Sequence, residues 1–585
     1  MRFIRVLVLM VALVAVSAAQ AAFVHAQAAN TAPAGDLPAD RHKQVDAIFA
    51  PWSGTTTPGC SVAISRDGVL DYARGYGMAN LEYDIALTPD SIFDVASVSK
   101  QFTAFAIGLL AQEGKLSLED DVRKYVPELA DYGHKVTLAH LLHHTAGMRE
   151  EAHLLYLAGW RSGDWKTDAD VLRILTKQRA PNFAPGAEVV YSNSHYALLA
   201  TVVTRVSGMP LRRFAEERIF KPLGMTDTRF PDGHTEVVRR RASGYSPAAG
   251  GGWRVSVSKS DNYGAGNLLT TVGDLLKWEE NLLHARVGGR ALADMMQASG
   301  TLNGGLAIRY GGGLRLGRYR GLRTVGHDGS AGGFRAGVIA FPERRFVIAM
   351  LCNNGAIAPD EIIPRMADVY LGDRPAADTR TTVKVPDAEL SALAGTYWNA
   401  LFDGVLRLEA KDGTIRVVGS PETLEPIGHG VFRVNGVFGS SGLPYEWRFI
   451  APAGAPANAP RELQIWESWP TPRIFTRLTA PVPSAAALAA YAGQYRSEDV
   501  DMTYTVSVEN GRLSVRWARG SAFTLEAVGG DHFSEGGYTV TFTRAASGEV
   551  DGLTFSTRRV RRLRAERLAA PAPASATARA PRKTS

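Results

Sequence analysis

The chain has 585 residues, 45% of them hydrophobic and 21% charged, which is the make-up of a globular protein with room for several domains of about 150 residues. Its formal charge of +7 is concentrated at one end, where nine Arg and Lys between Arg558 and Lys583 accompany the single Glu566. That stretch reads as a basic solvated tail, and the near-neutral remainder gives no reason to expect a nucleic-acid partner.

At the N-terminus, Arg2 and Arg5 precede an apolar run from Val6 to Val16. Small residues follow, with Ala19-Gln20-Ala21 and Val24-His25-Ala26 both suited to cleavage. This pattern predicts a signal peptide over residues 1–26, too short to span a bilayer comfortably. A periplasmic or secreted protein with no stable membrane span after cleavage is expected. The cysteines, Cys60 and Cys352, both lie in strand-like runs. An oxidising compartment permits a disulfide between them, but two buried thiols are the simpler reading.

An amphipathic helix is expected over Arg41 to Phe49, then a hairpin of Gly59–Ser65 and Val69–Tyr76 turning at Asp67-Gly68. Next comes Ser97-Val98-Ser99-Lys100, followed by Phe102, Ala104, Phe105, Ile107, Leu109 and Leu110. The spacing predicts a buried helix ending near Gly114, with Lys100 one turn from Ser97 on the same face. Ser117 with Asp120 reads as the next helix start. Leu141 to Met148 closes a further helix. His140, His143 and His144 lack an Asp or Glu at ligand spacing, so no metal is expected, and no cofactor. Val189 to Leu199 carries Tyr191-Ser192-Asn193 from a loop onto a helix. Gly264 to Thr271 opens another helix, with Asp274 and Trp278. His327-Asp328-Gly329-Ser330 lies among strand-like segments, continued by a hairpin of Gly337–Phe341 and Phe346–Cys352.

Beyond the Asp373–Ala377 linker, long helical patterns largely disappear and an internal repeat begins. Leu390, Ala394, Gly395 and Tyr397 recur as Leu488, Ala492, Gly493 and Tyr495, and the turn Asp412-Gly413 recurs as Asn510-Gly511. Alternating apolar residues flank both turns, so two small β-barrels are expected, joined through Ala480–Ser484.

Together the motifs supply a nucleophile (Ser97), a cation beside it (Lys100), a second acid/base group (Tyr191) and an imidazole on a Gly-rich strand (His327). Acyl transfer needs these parts, plus oxyanion donors, for which the N–H groups of Ser97 and Ser330 are candidates. Lys100 is expected to favour the Tyr191 phenolate. No Gly-x-Ser-x-Gly elbow is present, against an α/β-hydrolase.

From about Val45 to Tyr370 the chain resembles the serine hydrolases of the penicillin-binding protein and class C β-lactamase family. Ser97-x-x-Lys100, Tyr191-Ser192-Asn193 and His327-Asp328-Gly329 match its three motifs. Residues 141–147, 183–186 and Pro222-Leu223-Gly224-Met225 are also typical of it. The resemblance implies an α/β fold, an antiparallel sheet flanked by helices with a helical subdomain inserted after the Ser97 helix. It also implies an acylated Ser97, proton handling by Lys100 and Tyr191, and Asn193 in contact with the substrate amide. Gly329, where a substrate backbone can approach a sheet edge, and Ser330, with its N–H, are the other expected substrate contacts. His327 stands where the lactamases of the group carry Lys. With two lipocalin-like barrels after it, the architecture is most similar to D-aminopeptidases, in which a loop from the last barrel reaches the active site.

The expected domains are therefore 38–371 (catalytic), 385–480 and 485–568 (barrels), with a disordered tail over 569–585. The leading expectation is a serine peptidase or amidase acting on D-amino acid peptides. The alternatives are an esterase or weak β-lactamase, or a penicillin- or peptidoglycan-binding protein without turnover. The partner is a small peptide, amide or ester substrate. Oligomeric state is not legible.

Overall fold

The computed structural model describes residues 38–372, 380–420, 424–438, 444–451, 462–467 and 471–569. The expected signal peptide, the expected 373–377 linker and nearly all of the expected tail lie outside them. Two compact units divide the chain, Met1–Ala47 and Ile48–Ser585. In the first, the described residues lie in a helix that begins at Pro38 and ends at Phe49.

Six antiparallel strands form the central sheet: β1 (Cys60–Arg66), β2 (Val69–Tyr76), β3 (Arg315–Tyr319), β4 (Leu322–Ala331), β5 (Phe334–Phe341) and β6 (Phe346–Cys352), in the order β3-β4-β5-β6-β1-β2. β1 and β2 meet at Asp67-Gly68, both with positive φ (52° and 77°), the geometry of a tight hairpin whose twist matches its strands. β6 is buried at every position and β1 at all but its last. A strand with no inside-outside alternation has both faces covered. The helices that cover them are α4 (Val272–His284), which packs on β1 and β6, and α5 (Pro359–Leu371), which packs on β5 and β6. On β5, a Cβ at Gly337 would lie 2.4 Å from Ile363 Cδ1 of α5. Glycine there lets the helix sit close.

Cys60 and Cys352 face each other across β1 and β6 and form a disulfide. This corrects the reading of two thiols: burial in strands was legible, but which strands pair, and in what register, was not.

Ser97 lies on a 3-10 turn (Ala96–Ser99) that runs into α1 (Lys100–Gln112). From Lys100 to Leu110 every residue of α1 is buried, as suits an almost uniformly apolar helix. Between α1 and β3 lies a largely helical region that includes α2 (Leu138–Leu142) and α3 (Asn193–Ser207). The expected helix at Ser117 is a turn instead. Its N-terminal hydrogen bonds form (Ser117 N to Asp120 Oδ2, 2.8 Å), but the chain then enters a 3-10 turn at Val122–Lys124.

Both repeats fold as eight antiparallel strands, between Gly395 and Arg477 and between Gly493 and Arg567. The second closes into a barrel, whereas among the described residues no ladder joins the two ends of the first. The first has a core of its own. The core of the second is continuous with that of the region built around the six-stranded sheet. Across the join, Tyr504 Oη donates to Leu157 O (2.8 Å), and Arg149 pairs with Asp499 (2.8 Å).

Candidate active site

Ser97 is part-exposed on its turn, and the turn is held from below. Asp94 Oδ1 accepts from Ala96 N (2.8 Å), and Ala96 has a positive φ of 47°, a strained value for a non-glycine residue. Lys100 is fully buried one turn on. Its Nζ donates to Asn193 Oδ1 (2.8 Å) and Ala265 O (2.7 Å), and lies 3.1 Å from Ser97 Oγ. Burial, only partly offset by Glu150 and Glu151, lowers the ammonium from 10.5 to about 7.

Tyr191, on the loop that enters α3, is hydrogen-bonded to Ser97, and its ring centroid lies 4.8 Å from Lys100 Nζ. Burial raises its pKa above the usual value, against the lowering effect of the Ser97 bond, Arg315 and Arg559. The phenolate expectation is therefore corrected: desolvation dominates both groups, and Lys100, not Tyr191, titrates near neutral pH.

Asn193 bridges Lys100 to Glu150. Its Nδ2 donates to Glu150 Oε1 (2.7 Å), and its backbone N to Glu150 Oε2 (2.7 Å). Ser192 Oγ donates to the same Oε2 at 2.6 Å. Glu150 is almost wholly buried, and burial raises its pKa. No feature of the sequence singled it out.

His327 is on β4 and does not join the Ser97 cluster directly. Its Nδ1 donates to Asp328 O (2.5 Å), so its Nε2 is the acceptor for Tyr310 Oη at 3.0 Å. Burial lowers its pKa to about 3, so the imidazole is neutral. Its ring centroid is 6.1 Å from that of Tyr191.

β3 pairs with β4 only as far as Gly326, so residues 327–331 have a strand on one side alone. That open edge runs beside the Ser97 turn, where a Cβ at Gly329 would lie 2.2 Å from Val95 O. Ser330 follows on the same edge. Behind β4 and β5, against α5, is a cavity of about 490 Å³ bordered by Asp328 and Asp360.

The profile of the family described as Beta-lactamase matches residues 45–371, more than half of the chain. The chain belongs to the beta-lactamase family. It is a serine hydrolase of that fold. A second profile, described as a domain of unknown function (DUF3471), matches residues 478–567. A D-aminopeptidase of Brucella anthropi is 24% identical over 517 residues, spanning 85% of this chain and 93% of its own. A D-aminopeptidase of Gluconobacter oxydans is 26% identical over 382 residues, 63% of this chain and 69% of its own. Among solved structures, a penicillin-binding protein homologue from Pyrococcus abyssi aligns with a TM-score of 0.52 at 24% identity. It covers 75% of this chain and 99% of its own, a likeness of fold.

In this beta-lactamase-family member the site is completed by the second barrel. Its strands β7 (Val550–Ser556) and β8 (Leu563–Arg567) are joined by a loop that reaches the catalytic region. Arg559 of that loop lies 5.3 Å from the Tyr191 ring centroid and 3.5 Å from Glu150 Oε1. The loop backbone is stitched in place: Glu150 N donates to Arg559 O (3.1 Å), and Arg561 N to Asn182 Oδ1 (2.8 Å). Arg561 also makes two 2.9 Å bonds to Glu188. The basic-tail reading is corrected accordingly, since the arginines from Arg558 to Arg567 belong to the loop and the last strand. A cluster of guanidinium groups in sequence does not reveal that its partner carboxylates lie hundreds of residues away.

Proposed function

We propose that the chain is an exported serine peptidase or amidase that releases D-amino acid residues from short peptides or amides through an acyl-enzyme. The observation that carries this reading is the setting of Lys100. With two N–H bonds committed to the carbonyls of Asn193 and Ala265, a neutral amine is left with its lone pair for the Ser97 hydroxyl.

In this reading Lys100 takes the Ser97 proton as Oγ attacks the substrate carbonyl carbon. The carbonyl electrons move onto oxygen, which is held by the N–H groups of Ser97 and Ser330. Collapse re-forms the carbonyl and expels the leaving amine, which takes a proton from Tyr191. The phenol is in turn reprotonated from Lys100. Water then repeats the sequence on the acyl-Ser97, releasing the acid and restoring the serine. The substrate lies along the open edge of β4, which the missing side chain of Gly329 keeps close to the Ser97 turn, and the second Nδ2 hydrogen of Asn193, beyond the one given to Glu150, is left for it.

Preference for D-residues is supported by the names of the relatives, of which the Brucella anthropi D-aminopeptidase aligns over 85% of this chain. Export is supported by the signal-like N-terminus and by the disulfide, which persists in oxidising compartments.

The test is release of p-nitroaniline from D-alanine and L-alanine p-nitroanilides, with Ser97→Ala as control. Turnover of the D-form alone, lost in the variant, is expected. Silence on both, with hydrolysis of a short p-nitrophenyl ester, would replace the peptidase by an esterase. A lasting penicillin adduct with no turnover of anything would make the chain a binding protein.

A further inference from the structure

His144 is outside the residues assigned above, yet it grips the chain on both sides of Tyr191. Its backbone carbonyl accepts from Val190 N (3.0 Å), and its ring Nδ1 accepts from Ser192 N (3.2 Å). Between these two bonds, the imidazole lies against the Tyr191 ring with centroids 4.3 Å apart. His144 has a φ of +59° and is wholly buried. Strain of this kind is retained where the surroundings over-determine it, often at functional sites.

The protons can be placed by elimination. An amide N–H only donates, so Nδ1 of His144 carries no proton. Nδ1 of His195 is 3.1 Å from it, and of the two nitrogens only that of His195 can carry a proton there. Burial lowers the pKa of each ring, that of His195 to about 3, which keeps both neutral. A neutral, fixed acceptor is what holding the Ser192 amide requires. A protonated His144 would release it.

We infer that His144 is the positioning residue for Tyr191, holding its phenol against Ser97 through the backbone on either side and through the ring face. The inference rests on the reading that Tyr191 carries a proton in acyl transfer. His144 touches no reacting atom and acts through Tyr191 alone.

The experiment compares His144→Gly with His144→Asn. Glycine accepts the left-handed backbone but removes the acceptor and the ring. Asparagine tolerates the same backbone and keeps an acceptor. On the substrate that the wild-type chain turns over, His144→Gly is expected to lower kcat and kcat/KM together by about 10²-fold at unchanged KM. His144→Asn is expected to recover at least half of that loss on a logarithmic scale. In a Tyr191→Phe background the glycine substitution should have no further effect. A loss of equal size in that background, or an asparagine variant as poor as the glycine one, would overturn the inference. So would wild-type turnover in His144→Gly.

The 13C ring resonance of Tyr191, assigned by its absence in Tyr191→Phe, reads the geometry without turnover. It should shift in His144→Gly and hold its place in His144→Asn. An unmoved resonance in both variants overturns the positioning role. If Tyr191→Phe itself turns over like wild type, the proton role of Tyr191 fails, and the resonance still decides whether His144 places it. Should His144→Gly not fold, the asparagine variant decides alone, and a kcat about 10²-fold down there would count against the acceptor.

Discussion

A lysine beside a serine does nothing for it while it is an ammonium. What makes Lys100 useful is the exclusion of water, which lowers its pKa to about 7. A base must be deprotonated to act, so kcat/KM is expected to rise with pH through an apparent pKa near 7. Lys100→Arg, which cannot lose its proton, should be inactive at every pH. An acidic limb of the same position in Lys100→Arg would assign it to another group. A second buried residue makes the opposite demand. Glu279 is enclosed with one carboxyl oxygen unpartnered, and burial, with Glu280 beside it, raises its pKa from 4.5 to about 8. The folded state thus holds a proton that the unfolded chain has lost. Stability is fully present below about 4.5 and declines as pH rises toward about 8. Glu279→Gln should flatten that decline in thermal melts across the window. An unchanged slope would place the titration elsewhere.

At the scale of elements, the site is a meeting of a turn, a loop and a strand edge, each brought close by a local device. Gly329 is the clearest case. With a Cβ 2.2 Å from Val95 O, either β4 or the nucleophile turn must move. Gly329→Ala is expected to keep its melting temperature within a few degrees and lose about 10²-fold in kcat, the effect of an ångström of misplacement. Near-wild-type turnover would show that the edge has slack. The repeats show the same economy in their hydrogen bonds. Tyr397 donates to Leu393 O and Tyr495 to Tyr491 O, while Arg477 and Arg567 donate to Ala394 O and Ala492 O. The sequence match of Leu, Ala, Gly and Tyr is thus the trace of one bonding pattern built twice.

For the whole molecule, the two barrels are not equivalent attachments. The second shares its core with the catalytic region, where Tyr156 packs among Trp517, Phe523 and Tyr538, and it also supplies Arg559 to Glu150. Ending the chain after Ser484 would expose that apolar face and leave Glu150 without its guanidinium. The truncated protein is expected to have a low soluble yield and little turnover. A soluble truncation as active as the full chain would reduce the second barrel to an appendage.

Much of this was determined by the sequence alone. An apolar run after Ser97-x-x-Lys100 makes a buried helix, and helical spacing puts the amine by the hydroxyl. Asp-Gly and Asn-Gly between alternating residues make hairpins, and three short motifs single out Ser97, Lys100, Tyr191 and His327 as candidates. These are short-range properties of the chain. Tertiary structure decided the rest: which group titrates near neutrality, that Cys60 meets Cys352, that Glu150 lies under Asn193, and that Arg559 arrives from the far end. Each depends on desolvation or on contacts between residues distant in sequence, and neither leaves a local pattern to read.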